Sequence, residues 1–373
     1  MDGMKPDARP VVLLVADEGK DPQGHDHRTR VAMAQRLAEL RGGEYAGEFD
    51  PHRRYRVRPY FVPDRTLLSE RAQAIGIEDE EDLFGGVVPH AFLAYKTISH
   101  PLIGADAAAP AGWTPGLARS LGDAVLPGHA AFAVEDARSA GRLLLRGGRI
   151  RVKSPLGVGG GGQTVVADED ALESALAGLT ERDLREYGVV LERDLFDPIT
   201  YSVGQLRLCG ARYAYCGTQL QVEDRHGAAV YGGSELVVVR GGFDALERLE
   251  ATETAYEAVR VAALYDAAVS REFPGFFASR RNYDVASGTD SEGRPHVGVL
   301  EQSWRIGGAT PAEIAAVAAL RADPALAWVS ASAHESHHSA TPPEGAHVHY
   351  RDTARDDGPV LKYSLIRKHG YPT

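Results

Sequence analysis

A lysine just before a glycine-rich loop is the feature of this sequence that most directly suggests chemistry. Residues 149–168 read RIRVKSPLGVGGGGQTVVAD, with Lys153 at the end of an apolar stretch and a run of glycines after it. Glycine lets backbone N–H groups approach an anion closely, and lysine adds a compact positive charge beside it. We therefore predict two strands, 149–153 and 164–167, in a hairpin that closes over nucleotide phosphates. The glycines predicted to contact the phosphates are Gly159, Gly160, Gly161 and Gly162.

The common phosphate-binding motifs fit this loop poorly. The spacing Gly157-x-Gly159-x-x-Gly162 matches the dinucleotide-binding pattern, but that pattern opens a helix, and here the β-prone sequence QTVV follows. A P-loop requires a lysine after the last glycine, and the glycine loop of protein kinases has its lysine on a later strand. Here the lysine lies on the incoming strand. A flexible glycine hairpin with a surface lysine is the alternative interpretation.

Lysine is scarce elsewhere in the chain, which makes its positions informative. Only six of the 41 Lys and Arg residues are lysines, and between residues 21 and 361 only Lys96 and Lys153 occur. An ammonium group and a guanidinium group are not interchangeable at a phosphate. Both lysines are therefore candidates for phosphate contact.

A second candidate site lies in two predicted strands near the C-terminal end of the chain. Asp284 lies in the first strand, and Glu301 and Ser303 lie two residues apart in the second, so the latter two point to one face. Hard oxygen ligands of this kind suit Mg²⁺, which combines one or two carboxylates with phosphate oxygens and water. Arg305 follows on the same face, where its guanidinium could hold a transferring phosphoryl group. A structural ion pair between these acids and Arg305 is the alternative interpretation.

The composition describes an acidic protein with enough residues for two or three domains. The 373 residues are 43% hydrophobic, and the net charge is −11. This charge disfavours a general nucleic-acid or anionic-membrane binder, and no apolar run reaches the length that crosses a membrane. The N-terminal residues do not resemble a signal peptide, and we expect Cys209 and Cys216 to be buried free thiols. Together these features predict a cytoplasmic protein with no nucleic-acid or membrane partner.

Hydrophobic periodicity predicts alternating strands and helices, followed by a region rich in antiparallel strands. The predicted units are an N-terminal α/β domain (1–95), a connection (96–124), a lid (125–188), a core (189–325) and a C-terminal extension (326–373). Helices are predicted at 27–40, 66–77, 135–145, 168–180, 244–273 and 310–324. The last of these has the spacing of a capping box at Thr310 and Glu313.

Two polar clusters have less specific interpretations. The first strand-to-helix loop contains Asp17, His25, Asp26 and His27, and such loops either carry ligands or are simply solvated. The histidines from His334 onwards have a spacing that would allow a metal pair on a helix. Serine and proline around them favour a solvated loop.

In their order along the chain, these motifs resemble the ATP-grasp superfamily across roughly residues 10–320. In that superfamily two lysines on either side of the lid contact the ATP phosphates, which implies this role for Lys96 and Lys153. The segments SRRNYDV and GVLEQSWRIGGA are similar, more narrowly, to an uncharacterised bacterial ATP-grasp-like family. The other implied site residues are Glu192, Arg193 and Leu195 for adenine, Asp284, Glu301 and Ser303 for Mg²⁺, and Arg305 and Arg281 for catalysis.

The resemblance implies an ATP-grasp fold of mixed α/β and α+β class. Its parts would be a Rossmann-like N-terminal (pre-ATP-grasp) domain, a glycine-hairpin lid and a C-terminal antiparallel-sheet core. The implied reaction joins a small-molecule carboxylate to an amine, or less often a thiol, through an acyl phosphate. ATP and Mg²⁺, with Mn²⁺ as the alternative ion, are the implied cofactors, and a homodimer is compatible with the resemblance.

Two other activities stay open at the level of sequence. One is phosphotransfer to a hydroxyl or carboxylate without ligation, and the other is nucleotide binding by a regulatory protein without turnover. Two departures from the superfamily bear on this choice. Ser303 stands where the superfamily has an asparagine, and the carboxylate that holds the ribose has no clear counterpart, with only Asp197 or Thr200 nearby.

Overall fold

A computed structural model describes residues 8–16, 24–154, 157, 162–223, 227, 229–249, 252–338, 341–353 and 359–371. The chain begins with a small α/β unit. The run VVLL is buried on both faces because it forms the middle strand of a parallel sheet of order β2-β1-β3, covered by the first helix. Its elements are β1 (Val11–Leu14), α1 (His25–Arg41), β2 (Tyr45–Glu48), β3 (Tyr60–Pro63), β4 (Leu67–Leu68), α2 (Ser69–Ala74) and β5 (Gly86–Val88).

The helix predicted at 66–77 is shorter in the structure, where it spans Ser69–Ala74. Leu67 and Leu68 instead pair as a strand with Val87 and Val88, so α2 begins only at Ser69. A segment between this unit and the lid contains three 3-10 turns and one helix. These are Ala91–Ala94, Lys96–Ser99, α3 (Pro115–Leu121) and Gly122–Ala124.

The lid is an antiparallel sheet of four strands with helices on one side. Its strand order is β6-β9-β7-β8, and apolar side chains from the helices and the sheet form a separate core. The predicted glycine hairpin is present, because β7 and β8 pair antiparallel on either side of the loop. The elements are β6 (Gly128–Ala131), α4 (Val134–Leu145), β7 (Ile150–Lys153), β8 (Gln163–Val166), α5 (Glu169–Ala177), α6 (Glu181–Tyr187) and β9 (Val189–Arg193).

The largest part of the molecule is an eight-stranded antiparallel sheet of order β15-β14-β10-β11-β12-β16-β18-β17. Its elements are β10 (Phe196–Leu208), β11 (Ala211–Glu223), β12 (Ala229–Arg240), α7 (Phe243–Leu246), α8 (Glu253–Glu272), β13 (Phe277–Ala278), β14 (Arg280–Thr289), β15 (Pro295–Ser303), α9 (Thr310–Ala322), β16 (Trp328–Ser336), β17 (His347–Asp352) and β18 (Val360–Gly370). One face packs against α1 and α9, and the other packs against α8. Strand β13 pairs with β5 and so connects this part to the N-terminal unit.

Two predictions for this region are wrong. The single helix expected at 244–273 is two helices, α7 and α8, and the second starts at Glu253 after the cap formed by Thr252. The segment around His334 was expected to be a solvated loop, but it is strand β16. There the His334 ring stacks on Tyr363 with centroids 4.8 Å apart.

The C-terminal strands continue the main sheet. β16 pairs with β12 on one side and with β18 on the other. We therefore propose that residues 326–373 form part of the same folded unit as the core, while the other predicted boundaries stay as proposals. Within the described residues, no helix combines the length and apolar character that crossing a bilayer demands.

Candidate functional site

The adjacent strands β14 and β15 bring the predicted acidic residues together. Asp284 lies directly opposite Glu301, and Asn282 lies directly opposite Ser303, so all four side chains point to one face of the sheet. Burial and then the negative charge of Glu301 raise the pKa of Asp284 from 3.8 to about 6. Two carboxylates that repel each other in this way form a site that favours a bound cation.

Lys96 connects this acidic pair to the glycine hairpin of the lid. Its Nζ atom lies 2.8 Å from Glu301 Oε2 and donates a hydrogen bond of 3.1 Å to the carbonyl of Gly157. Gln302, on the opposite face of β15, fixes the turn that carries this lysine, because its amide donates to the carbonyls of Leu93 and Tyr95. Lys96 therefore bridges the hairpin loop and the acidic pair.

A backbone hydrogen bond joins the two ends of the hairpin loop, and residues 155–156 and 158–161 of the loop lie outside the described residues. The Ser154 amide donates to the Gly162 carbonyl over 2.8 Å, which closes the hairpin. Gly162 has a φ of 70°, a conformation that favours glycine. Of the glycines predicted to contact phosphate, Gly162 is described, while residues 159–161 are not.

Lys153 is buried in the lid together with two partners. Its ammonium contacts Glu192 on the neighbouring strand β9, and Glu192 Oε2 lies 3.1 Å from His100 Nε2. Burial would raise the pKa of Glu192, but Lys153 and His100 together lower it from 4.5 to about 2. Within the described part of the chain, no group hydrogen-bonds to His100 Nδ1. Glu192 is therefore an ionised anchor that holds Lys153 beside the loop.

The other two residues implied to contact adenine, Arg193 and Leu195, have partners other than Lys153. Arg193 donates to the carbonyl of Gly148 over 3.0 Å, and its neighbour Asp194 pairs with Arg149 and Arg151. Leu195 packs in a small apolar cluster between the lid and β14. The structure thus brings Glu192 to the lysine, but not the side chain of Arg193.

Arg305 forms no ion pair with any carboxylate of the described residues. Its guanidinium donates to the carbonyl of Ile306, and none of the described carboxylates lies within 4 Å of it. Burial and then the charge of Arg280 lower its pKa below the usual value. Glu301 and Asp284 also act on this guanidinium through space, but neither forms an ion pair with it, so its donors are suited to an anionic ligand.

Arg280 and Glu313 hold the strand end that precedes Arg305. Arg280 forms a bidentate ion pair with Glu313 at 2.9 and 2.7 Å and also donates to the carbonyl of Ser303. Both side chains of the pair are at most 1% exposed. The capping box predicted at Thr310 and Glu313 is therefore wrong, because the glutamate binds Arg280 and the Thr310 hydroxyl accepts from the Gly307 amide.

Arg281 is not brought to this site. Neighbouring residues of a strand point to opposite faces, so Arg281 lies on the face covered by α8, where it pairs with Asp266 at 3.0 Å. The Tyr283 hydroxyl donates to the same carboxylate. The charge of Arg281 is therefore balanced by Asp266 on the face opposite Asp284 and Glu301.

Sequence reasoning missed two residues of this site. Asn282 donates to Asp284 over 2.9 Å and accepts from the Tyr215 hydroxyl, and its position two residues before Asp284 was a usable signal. His100 carries no comparable signal, because only the fold brings it to Glu192.

The donor set at β14 and β15 fits a magnesium ion. Asp284 and Glu301 supply two carboxylates, and Ser303 supplies a hydroxyl on the same face. No group of three or more His, Cys, Asp or Glu side chains in the described ranges is arranged to hold a metal by itself. Mg²⁺ does not require such a group, because phosphate oxygens and water complete its octahedron.

The sequence profile of one protein family matches most of the chain. The family is described as "Protein of unknown function (DUF3182)", and the match covers residues 12–364. No curated protein matches the chain.

Several solved structures are similar in fold at low sequence identity. Phosphoribosylamine–glycine ligase from Thermotoga maritima is 13% identical with a TM-score of 0.51, and the match covers 97% of this chain and 92% of that chain. D-alanyl-alanine synthetase A from Vibrio cholerae is 14% identical with a TM-score of 0.44, covering 82% of this chain and 91% of that chain. A RimK domain ATP-grasp protein from Sphaerobacter thermophilus is 16% identical with a TM-score of 0.37, covering 80% and 92%. The ATP-grasp fold predicted from the sequence is confirmed.

Proposed function

This chain belongs to the family described as "Protein of unknown function (DUF3182)" and has the ATP-grasp fold, and we propose that it is an ATP- and Mg²⁺-dependent ligase joining a carboxylate to an amine. The observation that carries the proposal is the position of Lys96, whose ammonium contacts both Glu301 and the Gly157 carbonyl. We infer from these contacts that the glycine hairpin and the acidic strand pair border one cleft, as a single triphosphate with its metal requires.

The nucleotide would lie between the lid and the core. In this proposal Lys96 and Lys153 contact the phosphates, and the glycines 159–162 cover them with backbone N–H groups. Glu192 and Leu195 border the adenine, and Arg193 contributes only its backbone because its side chain is turned to Gly148. The buried contact with Glu192 holds the Lys153 ammonium in place.

Asp284, Glu301 and Ser303 would hold the metal on the opposite wall of the cleft. When bound, Mg²⁺ would neutralise negative charge on the phosphates. Asn282 positions Asp284 through its amide hydrogen bond, and Lys96 holds Glu301. The hydroxyl of Ser303 is shorter than the asparagine that stands there in the superfamily.

The proposed reaction has two steps. A carboxylate oxygen of the substrate attacks the γ-phosphorus, which breaks the bond to ADP and gives an acyl phosphate. The nitrogen of the amine then attacks the acyl carbon, phosphate leaves, and the nitrogen loses a proton. Lys96, Lys153 and Arg305 would neutralise the charge on the transferring group, and closure of the lid would exclude water that hydrolyses the intermediate.

The test is incubation with ATP, Mg²⁺ and pools of carboxylates and amines. ADP and phosphate together with a condensed product would support a ligase, and a stable phosphorylated product would replace it with a phosphotransferase. Thermal stabilisation by ATP without ADP formation would indicate a regulatory nucleotide-binding protein. The Glu301→Ala variant serves as the inactive control, and Glu344→Ala, an exposed glutamate, serves as the matched control.

A further inference from the structure

A cavity of about 340 Å³ lies between helix α9 and the last two strands of the chain, β17 and β18. Helix α1 contributes to one of its walls. Protein interiors rarely leave a void larger than a water molecule. The volume falls at the lower end of the range of about 300–1,000 Å³ that is typical of small-molecule sites. The cavity is therefore large enough for an organic ligand.

One side of α9 forms an apolar wall of this cavity. The residues on this wall are Pro311, Ile314, Ala315, Ala318, Ala319 and Ala322. At about 3.6 residues per turn, these positions share one side of the helix, roughly opposite Glu313. Glu313 binds Arg280, which also contacts the end of β15 at Ser303. The cavity therefore lies on the side of α9 that faces away from the proposed nucleotide site.

Polar groups from three other elements line the same cavity, namely Arg36 of α1, His347 and His349 of β17, and Ser364 of β18. His349 Nε2 lies 2.9 Å from Ser364 Oγ, and the two imidazole rings have centroids 4.9 Å apart. His349 Nδ1 is buried and has no hydrogen-bond partner among the residues that the structure describes. Whichever nitrogen carries the proton, this ring keeps one hydrogen-bonding position for a ligand.

The charge of the lining favours an anion. None of the described residues that line the cavity is acidic. Burial, followed by His347 and Arg36, lowers the pKa of His349 from 6.5 to about 3, and burial and Arg36 also lower the pKa of His347. Both rings are therefore neutral at physiological pH, and Arg36 carries the positive charge of the lining.

Arg36 has a partner that it can exchange for a ligand. Its guanidinium pairs with Glu39 one turn along α1, and the two side chains are 32 and 62% exposed. Exposed pairs of this kind contribute little to stability because water screens them. A guanidinium also has more N–H donors than one carboxylate oxygen can use. Arg36 can therefore bind an anionic ligand at low cost.

A transition-metal ion fits this lining less well than an anion does. Zn²⁺ sites in proteins use three or four protein ligands, and the cavity offers two imidazoles. Across the described ranges, no three His, Cys, Asp or Glu side chains come together to hold a metal. The positive charge of Arg36 further disfavours a bound cation.

We propose that this cavity binds a small carboxylic acid with an apolar body, its charge balanced by Arg36 and its hydrocarbon part packed against α9. His349 Nδ1 and the Ser364 hydroxyl offer further hydrogen bonds. Because all these groups line one cavity, a single small molecule can contact them together. At about 30 Å³ for each non-hydrogen atom, the cavity accepts roughly ten such atoms. The site is separate from the proposed ligase reaction and does not depend on it.

The test measures binding to the full-length chain by isothermal titration calorimetry and by thermal unfolding. The probes are straight-chain carboxylates from butyrate to decanoate, benzoate and 3-phenylpropionate, each beside its primary amide and the amine of the same length. For at least one acid, we expect one-to-one binding that is about tenfold or more tighter than that of its amide, with a raised unfolding temperature. Binding by none of the acids, or equal binding of every acid and its amide or amine, would overturn the proposal.

Two variants locate the binding site. Ala318→Leu fills the cavity and is expected to abolish binding of the acid. Arg36→Met is expected to weaken the acid about tenfold, to the level of its amide, while leaving the amide unchanged. The matched controls are Ala177→Leu, which is exposed on α5, and Arg260→Met, which breaks a comparable exposed pair with Glu257. Unchanged acid binding in either Ala318→Leu or Arg36→Met would contradict the assignment.

Two further measurements separate this site from other uses of the same surface. Saturating ATP and Mg²⁺ should leave the affinity for the acid unchanged, and loss of acid binding would instead place the acid in the proposed nucleotide site. Light scattering should give the same mass for Ala318→Leu and the wild type, and a halved mass would show that the cavity is an interface between copies of the chain. Because binding is measured without turnover, failure of the ligase proposal would leave this result unaffected.

Discussion

Lys153 and Glu192 neutralise each other inside the lid, whereas Asp284 and Glu301 place two negative charges side by side. The first pair is a preformed anchor for a cation that we propose to bind phosphate. In the second pair only Glu301 has an ammonium partner, Lys96, so the negative charge of Asp284 destabilises the folded state until a further cation binds. At the scale of residues, these two kinds of pairing lead to opposite expectations for stability.

Replacing Lys153 by methionine should affect both stability and activity. The variant leaves Glu192 charged and buried with only His100 beside it, which costs about 3–5 kcal/mol of unfolding free energy. The double variant Lys153→Met/Glu192→Gln should recover much of that loss, because no uncompensated charge remains. ATP turnover should stay more than about a hundredfold below wild type in both.

Denaturant unfolding and ADP formation measure the two effects of that substitution separately. Recovery of wild-type turnover in the double variant would contradict the phosphate-binding role of Lys153. A lysine that only balanced Glu192 would be dispensable once that charge is removed.

Replacing Asp284 by asparagine should stabilise the metal-free protein while abolishing its activity. The pKa of Asp284 is about 6 in the folded protein against 3.8 in the unfolded chain. The folded state therefore binds the proton more tightly, and this favourable contribution is lost as the pH rises from about 4 through 6. Asn removes the penalty of the ionised form, so we expect a gain of about 1 kcal/mol at pH 7.5 and little change at pH 4.

The measurement is thermal unfolding in chelator at both pH values, with Asp106→Asn, an exposed aspartate, as the control. Mg²⁺-dependent turnover of Asp284→Asn should fall more than about a hundredfold. Because protons compete with the metal for the carboxylates, Mg²⁺ binding by the wild type should weaken below about pH 6. A less stable Asp284→Asn at pH 7.5 would argue against the proposed repulsion.

At the scale of elements, one buried ion pair ties together β14, β15 and α9. Arg280 pairs with Glu313 of the helix and binds the carbonyl of Ser303 at the end of β15. The positions of Ser303 and Arg305 therefore depend on a helix that lies after them in the chain. The capping-box pattern at Thr310 and Glu313 did not indicate this role, because a local pattern contains no information about a partner 33 residues away.

Replacing Arg280 by methionine should lower the unfolding free energy by about 3–5 kcal/mol, because Glu313 is left buried without a counter-ion. Arg260→Met is the matched control, because Arg260 forms an exposed pair with Glu257 on α8 and should cost less than about 0.5 kcal/mol. Denaturant unfolding of both variants measures the difference. Equal losses in the two variants would show that the buried pair does not hold these elements together.

At the scale of the whole molecule, the C-terminal strands are part of the main sheet. β18 lies between β16 and β17, and its residues Val360 and Leu361 are buried. Lys362 connects the same strand to α1 of the N-terminal unit. The sheet therefore joins the proposed nucleotide-binding core to the N-terminal α/β unit through its last strands.

Leu361→Ala should destabilise the whole protein by about 2–5 kcal/mol, since this side chain is 1% exposed. Ile366→Ala on the same strand is the matched control, because Ile366 is 42% exposed and should cost less than about 1 kcal/mol. In Leu361→Ala, the unfolding transitions followed by far-ultraviolet and by near-ultraviolet circular dichroism should shift together. A separate early transition would instead show that the C-terminal strands unfold on their own.

The sequence predicted those features of the site that depend on local spacing. A strand before the glycine loop, ending in Lys153, can be predicted without knowledge of the rest of the fold. The same holds for the shared face of Glu301 and Ser303, because residues two apart on a strand point to one side. Local patterns failed where long-range pairing decides the structure. Leu67 and Leu68 form a strand because Val87 and Val88 lie beside them, and the histidine segment is a strand because β12 and β18 flank it.

By itself the sequence determined the two strands on either side of the glycine loop and the shared face of Glu301 and Ser303. These follow from the periods of helix and strand and from the chemistry of each side chain. Only the tertiary structure decided which charges meet. Lys96 reaches Glu301, and Lys362 reaches Asp26 across 336 residues of chain, because sheet order and helix packing bring them together. The physical reason is that the face of a strand to which a side chain points follows from its position along that strand. Which other side chains it contacts depends on how the whole chain packs.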